Sequence, residues 1–326
     1  MSSESPKAEV AASALQRHSL NGETMGTRYS AVFFAPADVN LDAISAALFA
    51  AVDQVDRQMS TWKPDSDLSR LNVALVHHWV AIPAELLTVL EASVRVSVES
   101  SGAFDIGVGS LVNAWGFGPT GQEPDAQQIL DIGQRAQRPA SEVLEIDLAM
   151  QRVRKKEPIA LDLSGIAKGY GVDTLARCLD GFGITRYLVG IDGEMRAKGN
   201  KHDGEAWAVA VEKPVRHVRE VMGVMELVDA AIASSGNYRH WVEVGDKHFA
   251  HTMDPRSGRP VDNSLASVTV VMPSCMLADA WATALLVMGK PAALELAQQR
   301  GMTALLVMRV EDAFEEISIV DGKLQP

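Results

Sequence analysis

The chain has 326 residues, 47% hydrophobic and 22% charged, which is ordinary globular material, long enough for one large domain or two lobes and unlike a disordered or fibrous sequence. Thirty basic against 42 acidic residues give a net charge of −12, which argues against nucleic acid or anionic lipid as a partner of the general surface and leaves only local cationic spots such as Arg256 and Arg259. Two cysteines, Cys178 and Cys275, fit neither a disulfide framework nor a CxxC metal site and read as partly buried thiols.

Residues 1–20 are rich in Ser, Ala and Glu and are expected to be loose, with one globular domain over 21–326. Acidic residues stand where a signal peptide would be basic, no cysteine precedes Cys178, and no apolar run approaches the ~20 residues of a membrane span. The expectation is a cytoplasmic protein as written, periplasmic if an export signal was removed, with no membrane span.

Residues 29–34 read as a strand. Ile44, Leu48, Val52, Val55 and Met59 then recur at three-and-four spacing, predicting an amphipathic helix over 41–60. Pro64 breaks it, and Pro83 suits the first turn of a second helix over 84–98. Six glycines and little periodicity mark 101–121 as an ordered loop. Helical spacing returns over 124–138, paired strands are predicted over 143–153, a short apolar strand over 159–163, a helix over 167–179 and a strand over 186–191. Strands follow at 207–211, 223–228, 241–244 and 265–272, then helices at 277–288 and 291–299, and a final strand pair at 304–310 and 316–320. Helices and strands mix without strict alternation, so the expected fold is two-lobed α+β, a single domain with mixed sheets.

Several familiar patterns fail on context. Gly116 to Gly121 matches G-x-G-x-x-G, but it neither follows a strand nor opens a helix and contains Pro119, so it is no dinucleotide-binding turn. There is no GxxxxGK[ST] and no GxSxG, and Ser60 to Lys63 fits S-x-x-K without its companion motifs.

Three segments carry chemistry. Asp162 to Gly171 is a small-residue turn into a helix, which offers backbone amides to a phosphate or ribose, with Lys168 adding positive charge and Asp162 a hydroxyl contact; on its own it reads more readily as an ordinary strand-to-helix connection with a surface lysine. His251 lies beside Asp254 and two arginines, and imidazole suits general-base work near neutral pH. Asp279 and Thr283 stand four apart in a helical pattern, so both oxygens share a face and suit Mg²⁺ or Ca²⁺. Their bland alternative is a helix-entry carboxylate and a back-bonding hydroxyl.

The order of motifs is more specific than any one of them. Glu23 to Thr27, Met59 to Ser66, Ala103 to Gly109 with Trp115 to Gly118, Asp162 to Gly171, Gly190 to Glu194, Ser234 to Tyr238, His251 to Pro260 and Ala278 to Thr283 together resemble the ApbE family, the FAD:protein FMN transferases, from about residue 22 to 310. The resemblance implies an FAD cleft between two lobes. It places Met25, Trp62, Ala103, Phe104, Asp105, Asp162, Lys168 and Met253 on the flavin nucleotide. It also places a cation, Mg²⁺ or another divalent ion, on the Asp279 carboxylate, the Thr283 hydroxyl and the backbone carbonyl of Gly165. Some relatives carry Tyr in place of Trp62 and acidic residues in place of Lys168 and Ala282; the last two differences remove negative charge near the metal.

The implied reaction is metal-assisted transfer of the FMN moiety of FAD to a Thr or Ser hydroxyl of a partner flavoprotein, within a Ser/Thr-Gly-Ala-Thr-like segment. His251, or a nearby carboxylate through water, would take the proton and AMP would leave. Two rivals share the same site: an FAD pyrophosphatase giving FMN and AMP, and a non-catalytic FAD-binding protein.

Overall fold

The structure, a computed structural model, describes residues 15–119, 123–124, 129, 138–215, 218–238, 241–244, 247–311 and 313–326. Residues 1–14 and most of the helical segment expected over 124–138 lie outside the described residues. The main sheet runs in the spatial order β1 (Leu15–Thr24), β2 (Thr27–Pro36), β6 (Tyr187–Ile191), β7 (Glu194–Lys198), β10 (Ala231–Gly236), β15 (Leu265–Met272), β16 (Thr303–Val310), β17 (Ala313–Val320) and β18 (Lys323–Leu324). Each recorded pairing in it is antiparallel. The smaller sheets are β3 (Val80–Ala81) with β5 (Arg152–Lys155) and β4 (Leu144–Asp147), β8 (Trp207–Glu212) with β9 (Val221–Leu227), β11 (Trp241–Val244) with β12 (Lys247–Ala250), and β13 (Met253–Asp254) with β14 (Arg259–Pro260).

Among the described residues the helices are α1 (Leu41–Met59), α2 (Asp67–Val73), α3 (Ala84–Glu99), α4 (Gly109–Ala114), α5 (Ala140–Val143), α6 (Ala167–Gly181), α7 (Cys275–Met288) and α8 (Lys290–Gln299). Among the described residues no helix is long and apolar enough to cross a membrane. The helix α1 forms where the apolar spacing requires it: Asn40 caps it by accepting the Ala43 N–H at 3.0 Å, and Ile44, Leu48 and Val52 are fully buried. That stripe packs with Val172, Leu175 and Leu179 of α6 onto Tyr29, Ala31 and Phe33 of β2. A second apolar cluster gathers α3 and α7 around Trp281 and Leu285. Trp207, Val209 and Leu227 of the β8–β9 hairpin pack with Ala197 of β7 and Ile232 of β10. Truncating a stripe residue such as Leu48 to Ala removes about 2–5 kcal/mol by the usual transfer-plus-cavity cost.

The α+β reading of the sequence holds, but the sheets expected to be mixed are antiparallel in every recorded pairing, and there are three local corrections. Residues 15–20, expected to be loose, belong to β1, which pairs with β2 over ten residue pairs around the turn Met25-Gly26. Both turn residues have positive φ, 47° and 71°, which matches the twist of a tight hairpin. The glycine-rich stretch 101–121, expected as a loop, contains a 3₁₀ turn at Ile106–Val108 and then α4, because Asp105 accepts the Gly107 N–H at 2.5 Å and starts the turn. Residues 159–163, expected as a strand, join no sheet. Their backbone is satisfied instead by the Asn72 side chain, which binds both N–H and C=O of Leu161 at 2.8 and 2.9 Å, and by contacts of Asp162 N–H with Ile106 O and of Ala160 O with Gly109 N–H.

Candidate active site

A cavity of about 450 Å³ opens where the main sheet, α7, the entry to α6 and the β8–β9 hairpin meet. Its chemistry starts at α7. Ser274 caps that helix by accepting the Leu277 N–H, so Asp279 and Thr283 follow on one face, one turn apart. Asp279 is 3% exposed. The Gly169 N–H donates to its Oδ2 at 3.0 Å. A β-carbon on Gly169 would lie 2.3 Å from the Cys275 carbonyl oxygen and 2.9 Å from the Asp279 β-carbon, so only glycine lets α6 approach α7 this closely. The Thr283 hydroxyl shares a 2.9 Å hydrogen bond with Ser235 Oγ on β10. A β-carbon on Gly165 would stand 3.2 Å from Thr283 Oγ1 and 3.3 Å from the Phe104 ring, so the turn before α6 lies directly against α7 and the 103–105 segment.

Lys168, from the start of α6, reaches Glu194 Oε1 at 2.8 Å and Asp192 Oδ2 at 3.8 Å. Burial opposes its charge, but Glu194, Asp279 and Asp192 outweigh burial and hold the ammonium above the ordinary lysine range. The Asp279 carboxyl is pushed up to about 7, first by burial and then by the negative charge of Glu194, against the opposing pull of Lys168 and the Gly169 N–H. The site thus carries more buried negative charge than its one lysine offsets.

Asp162 accepts the Ser164 N–H at 2.8 Å and so shapes the turn that carries Gly165. Asp105 lines the cavity, yet its oxygens accept Gly107 N–H at 2.5 Å, Ala140 N–H at 3.0 and 3.2 Å, and Ser97 Oγ–H at 3.0 Å. It acts by folding the 103–108 segment, and burial raises its carboxyl despite those donors. His251 lines the cavity and meets the Phe117 ring edge-on at 6.2 Å. Met253 is buried against Leu111 and Trp115, and Trp115 in turn packs on Phe249 at 4.8 Å. Asp254 is engaged by Arg256, whose Nε donates to Oδ1 at 2.9 Å.

The cavity therefore gathers Ala103, Phe104, Asp105, Asp162, Gly165, Lys168, His251, Met253, Asp279 and Thr283. It does not gather Met25 or Trp62. Met25 sits in the β1–β2 turn with its terminal methyl facing Gly171 of α6. Trp62 follows the end of α1, its N–H bound to Ser60 Oγ, and is 65% exposed. Sequence reasoning missed the roles of Glu194, Asp192 and Ser235, and the contribution of the β8–β9 hairpin to the wall. The signal for Glu194 was a second carboxylate two residues after Asp192, at the Gly193 turn between two paired strands.

Helices and antiparallel sheets around a cavity that brings together a lysine, buried carboxylates and a histidine define an α+β enzyme. The chain belongs to the ApbE family, whose family model matches residues 25–306. It is 38% identical over 299 residues to the FAD:protein FMN transferase of Vibrio cholerae, covering 91% of this chain and 89% of that one. It is 33% identical over 306 residues to the FAD:protein FMN transferase of Escherichia coli K12, covering 91% and 85%. Among solved structures, the flavin transferase ApbE from Vibrio cholerae matches with a TM-score of 0.83 at 35% identity, covering 94% of this chain and 98% of that one. The apo flavinyl transferase ApbE from Pseudomonas stutzeri matches with a TM-score of 0.81 at 32% identity, covering 94% and 96%.

Proposed function

We propose that this chain transfers the FMN moiety of FAD to a Ser or Thr hydroxyl of a partner flavoprotein, releasing AMP, with Mg²⁺ held in the cavity. The observation that carries the reading is the convergence of the Asp279 carboxylate, the Thr283 hydroxyl, the Gly165 turn and the Lys168 ammonium in the cavity that also holds His251.

The donor set fits a hard divalent cation. Asp279 and Thr283 supply side-chain oxygens and Gly165 a backbone carbonyl, and the carboxyl pushed up to about 7 beside Glu194 marks a place where added positive charge relieves repulsion. Among the described residues no group of three or more His, Cys, Asp or Glu is arranged to hold a metal alone. Asp279, Thr283 and Gly165 would therefore hold the cation together with a bound substrate rather than alone. When bound, the cation supplies charge neutralisation at the pyrophosphate and improves AMP as a leaving group.

The protein's own groups do the rest. Lys168, fixed by Glu194, presents a permanent positive charge to a phosphate oxygen. The Ser164-Gly165 turn lays backbone against the same region. Met253, backed by Trp115 and Phe249, gives the cavity an apolar side that keeps water from the reacting end. His251 accepts the proton of the acceptor hydroxyl as its oxygen bonds to the FMN-side phosphorus, and the bond from that phosphorus to the AMP oxygen breaks. The acceptor hydroxyl lies in a Ser/Thr-Gly-Ala-Thr-like segment of the partner.

The test mixes the protein with FAD, Mg²⁺ and a small domain carrying a Ser-Gly-Ala-Thr segment. The expected result is metal-dependent flavin fluorescence on the acceptor in a denaturing gel, with the mass increment of FMN. Free FMN and AMP without labelled acceptor would assign the site to FAD hydrolysis, and intact FAD would assign it to binding alone.

A further inference from the structure

Asp173 does not line the cavity, but both of its carboxylate oxygens are engaged at the start of α7. It is 3% exposed on α6. Its Oδ1 accepts the Cys275 N–H at 3.0 Å and an Arg196 Nη1 hydrogen at 2.5 Å; its Oδ2 accepts the Ser274 hydroxyl at 2.7 Å and the Met276 N–H at 3.1 Å. Ser274 Oγ in turn receives the Leu277 N–H. The first three N–H groups of α7, which have no partner within the helix, are thus all satisfied by one carboxylate and the cap it holds. A buried negative charge also sits at the positive end of the helix dipole.

The elements tied together here are those that carry the site. Lys168 and Gly169 precede Asp173 on α6, Glu194 stands two residues before Arg196 on β7, and Asp279 follows Cys275 on α7. Four residues of helix span about 6 Å, so a slide or rotation of α7 at the clamp reaches Asp279 almost undiminished. We infer that Asp173 is the positioning residue for the cation-binding face of α7: it fixes that helix against α6 so that the Asp279 and Thr283 oxygens meet the Gly165 turn. This rests on the cation reading given above.

The test uses Mn²⁺ as the probe, titrated into the whole protein with FAD present and followed by electron paramagnetic resonance. Asp173→Asn keeps the shape but turns an amide NH₂ toward two of the four donors. It is expected to weaken Mn²⁺ binding at least about tenfold, as loss of groups that orient metal ligands typically does. FAD affinity without metal, read by flavin fluorescence, is expected to change by less than about twofold, since no FAD-facing group is altered. A merely structural Asp173 would lower the melting temperature and leave the Mn²⁺ constant unchanged, and that outcome overturns the inference. Ser274→Ala removes one donor and the cap, and carries the test if the first variant does not fold; its expected loss of Mn²⁺ affinity is smaller, about threefold, in line with a neutral hydrogen bond. If the unsubstituted protein binds no Mn²⁺, the cation reading falls and this inference with it. If the protein binds Mn²⁺ and both variants bind it equally well, only the assignment of Asp173 fails.

Discussion

Gly169 and Asp279 hold the floor of the site together in two ways: the glycine N–H donates to the carboxylate at 3.0 Å, and its missing side chain leaves room for the start of α7. A methyl group there would meet backbone, which cannot swing aside. Gly169→Ala is therefore expected to destabilise the protein by about 1–3 kcal/mol through overpacking, and to weaken metal-dependent transfer in the protein that still folds. Urea unfolding and the transfer assay read the two effects; an alanine variant of unchanged stability would show that the helices can part without cost.

Asp279 sets activity against stability. Its folded carboxyl lies near 7, above the roughly 3.9 of an unfolded aspartate. A raised acid is penalised where it must be charged, so its cost grows as pH climbs from about 4 to about 7, is fully present above that, and is absent in acid. Asp279→Asn keeps an acceptor for Gly169 and removes the charge. The ligand-free variant is expected to be more stable than the parent at pH 8, on the order of 1–2 kcal/mol, and little changed at pH 4. Transfer should fall by at least about 100-fold. Thermal melts at the two pH values decide it, and a variant less stable than the parent at pH 8 would contradict the repulsion between Asp279 and Glu194.

Lys168 is the counterpart. Because its folded pKa is raised, it stays charged across the whole working range, and the stability it contributes is present below its unfolded pKa and lost only as pH rises through the folded value. Lys168→Met leaves Glu194 and Asp279 facing each other without a cation. The expected cost is about 3–5 kcal/mol, the usual result of breaking a buried pair from one side, and it should be larger at pH 8 than at pH 5. KM for FAD should also rise about tenfold as a phosphate contact is lost.

His251→Ala is expected to lower kcat about 10²–10⁴-fold while FAD affinity stays within about threefold, since a proton acceptor acts at the chemical step. Comparing it with Asp279→Asn in single-turnover transfer separates proton removal from charge neutralisation. Intact transfer in the histidine variant would move the role of base to another group.

Local sequence was a good guide where the site is local. Asp279 and Thr283 could be paired because one helical turn joins them, and the turn from Asp162 to Lys168 could be placed because small residues precede a helical pattern. The spacing of Ile44, Leu48 and Val52 marked the buried face of α1 for the same reason. The clamp at Asp173 could not be read this way, because its donors lie about one hundred positions away in Ser274, Cys275 and Met276. Glu194 likewise acquires its meaning only when β7 brings it to Lys168, 26 positions earlier. The apolar run 159–163 reads as a strand by composition, yet an asparagine side chain from α2 occupies the place of a ladder partner. Asp105 and Trp62, which the family resemblance placed on the flavin nucleotide, could not be located from sequence: the fold holds Asp105 by neighbouring amides at the edge of the cavity and leaves Trp62 at the surface.

The burial of Cys275 gives the protein an internal reporter. Its thiol lies beneath the first turn of α7, against the carbonyls of Met195 and Ile232. Burial, followed by the nearby charges of Asp173, Glu194 and Asp279, raises its pKa well above the usual thiol value, although the start of a helix ordinarily favours a thiolate. Cys178, only partly buried, offers reagents the easier target. An alkylating agent should therefore modify Cys178 in the intact protein and reach Cys275 only in molecules where the α6–α7 crossing has come apart, so the slow second labelling phase times how often the floor of the cleft opens.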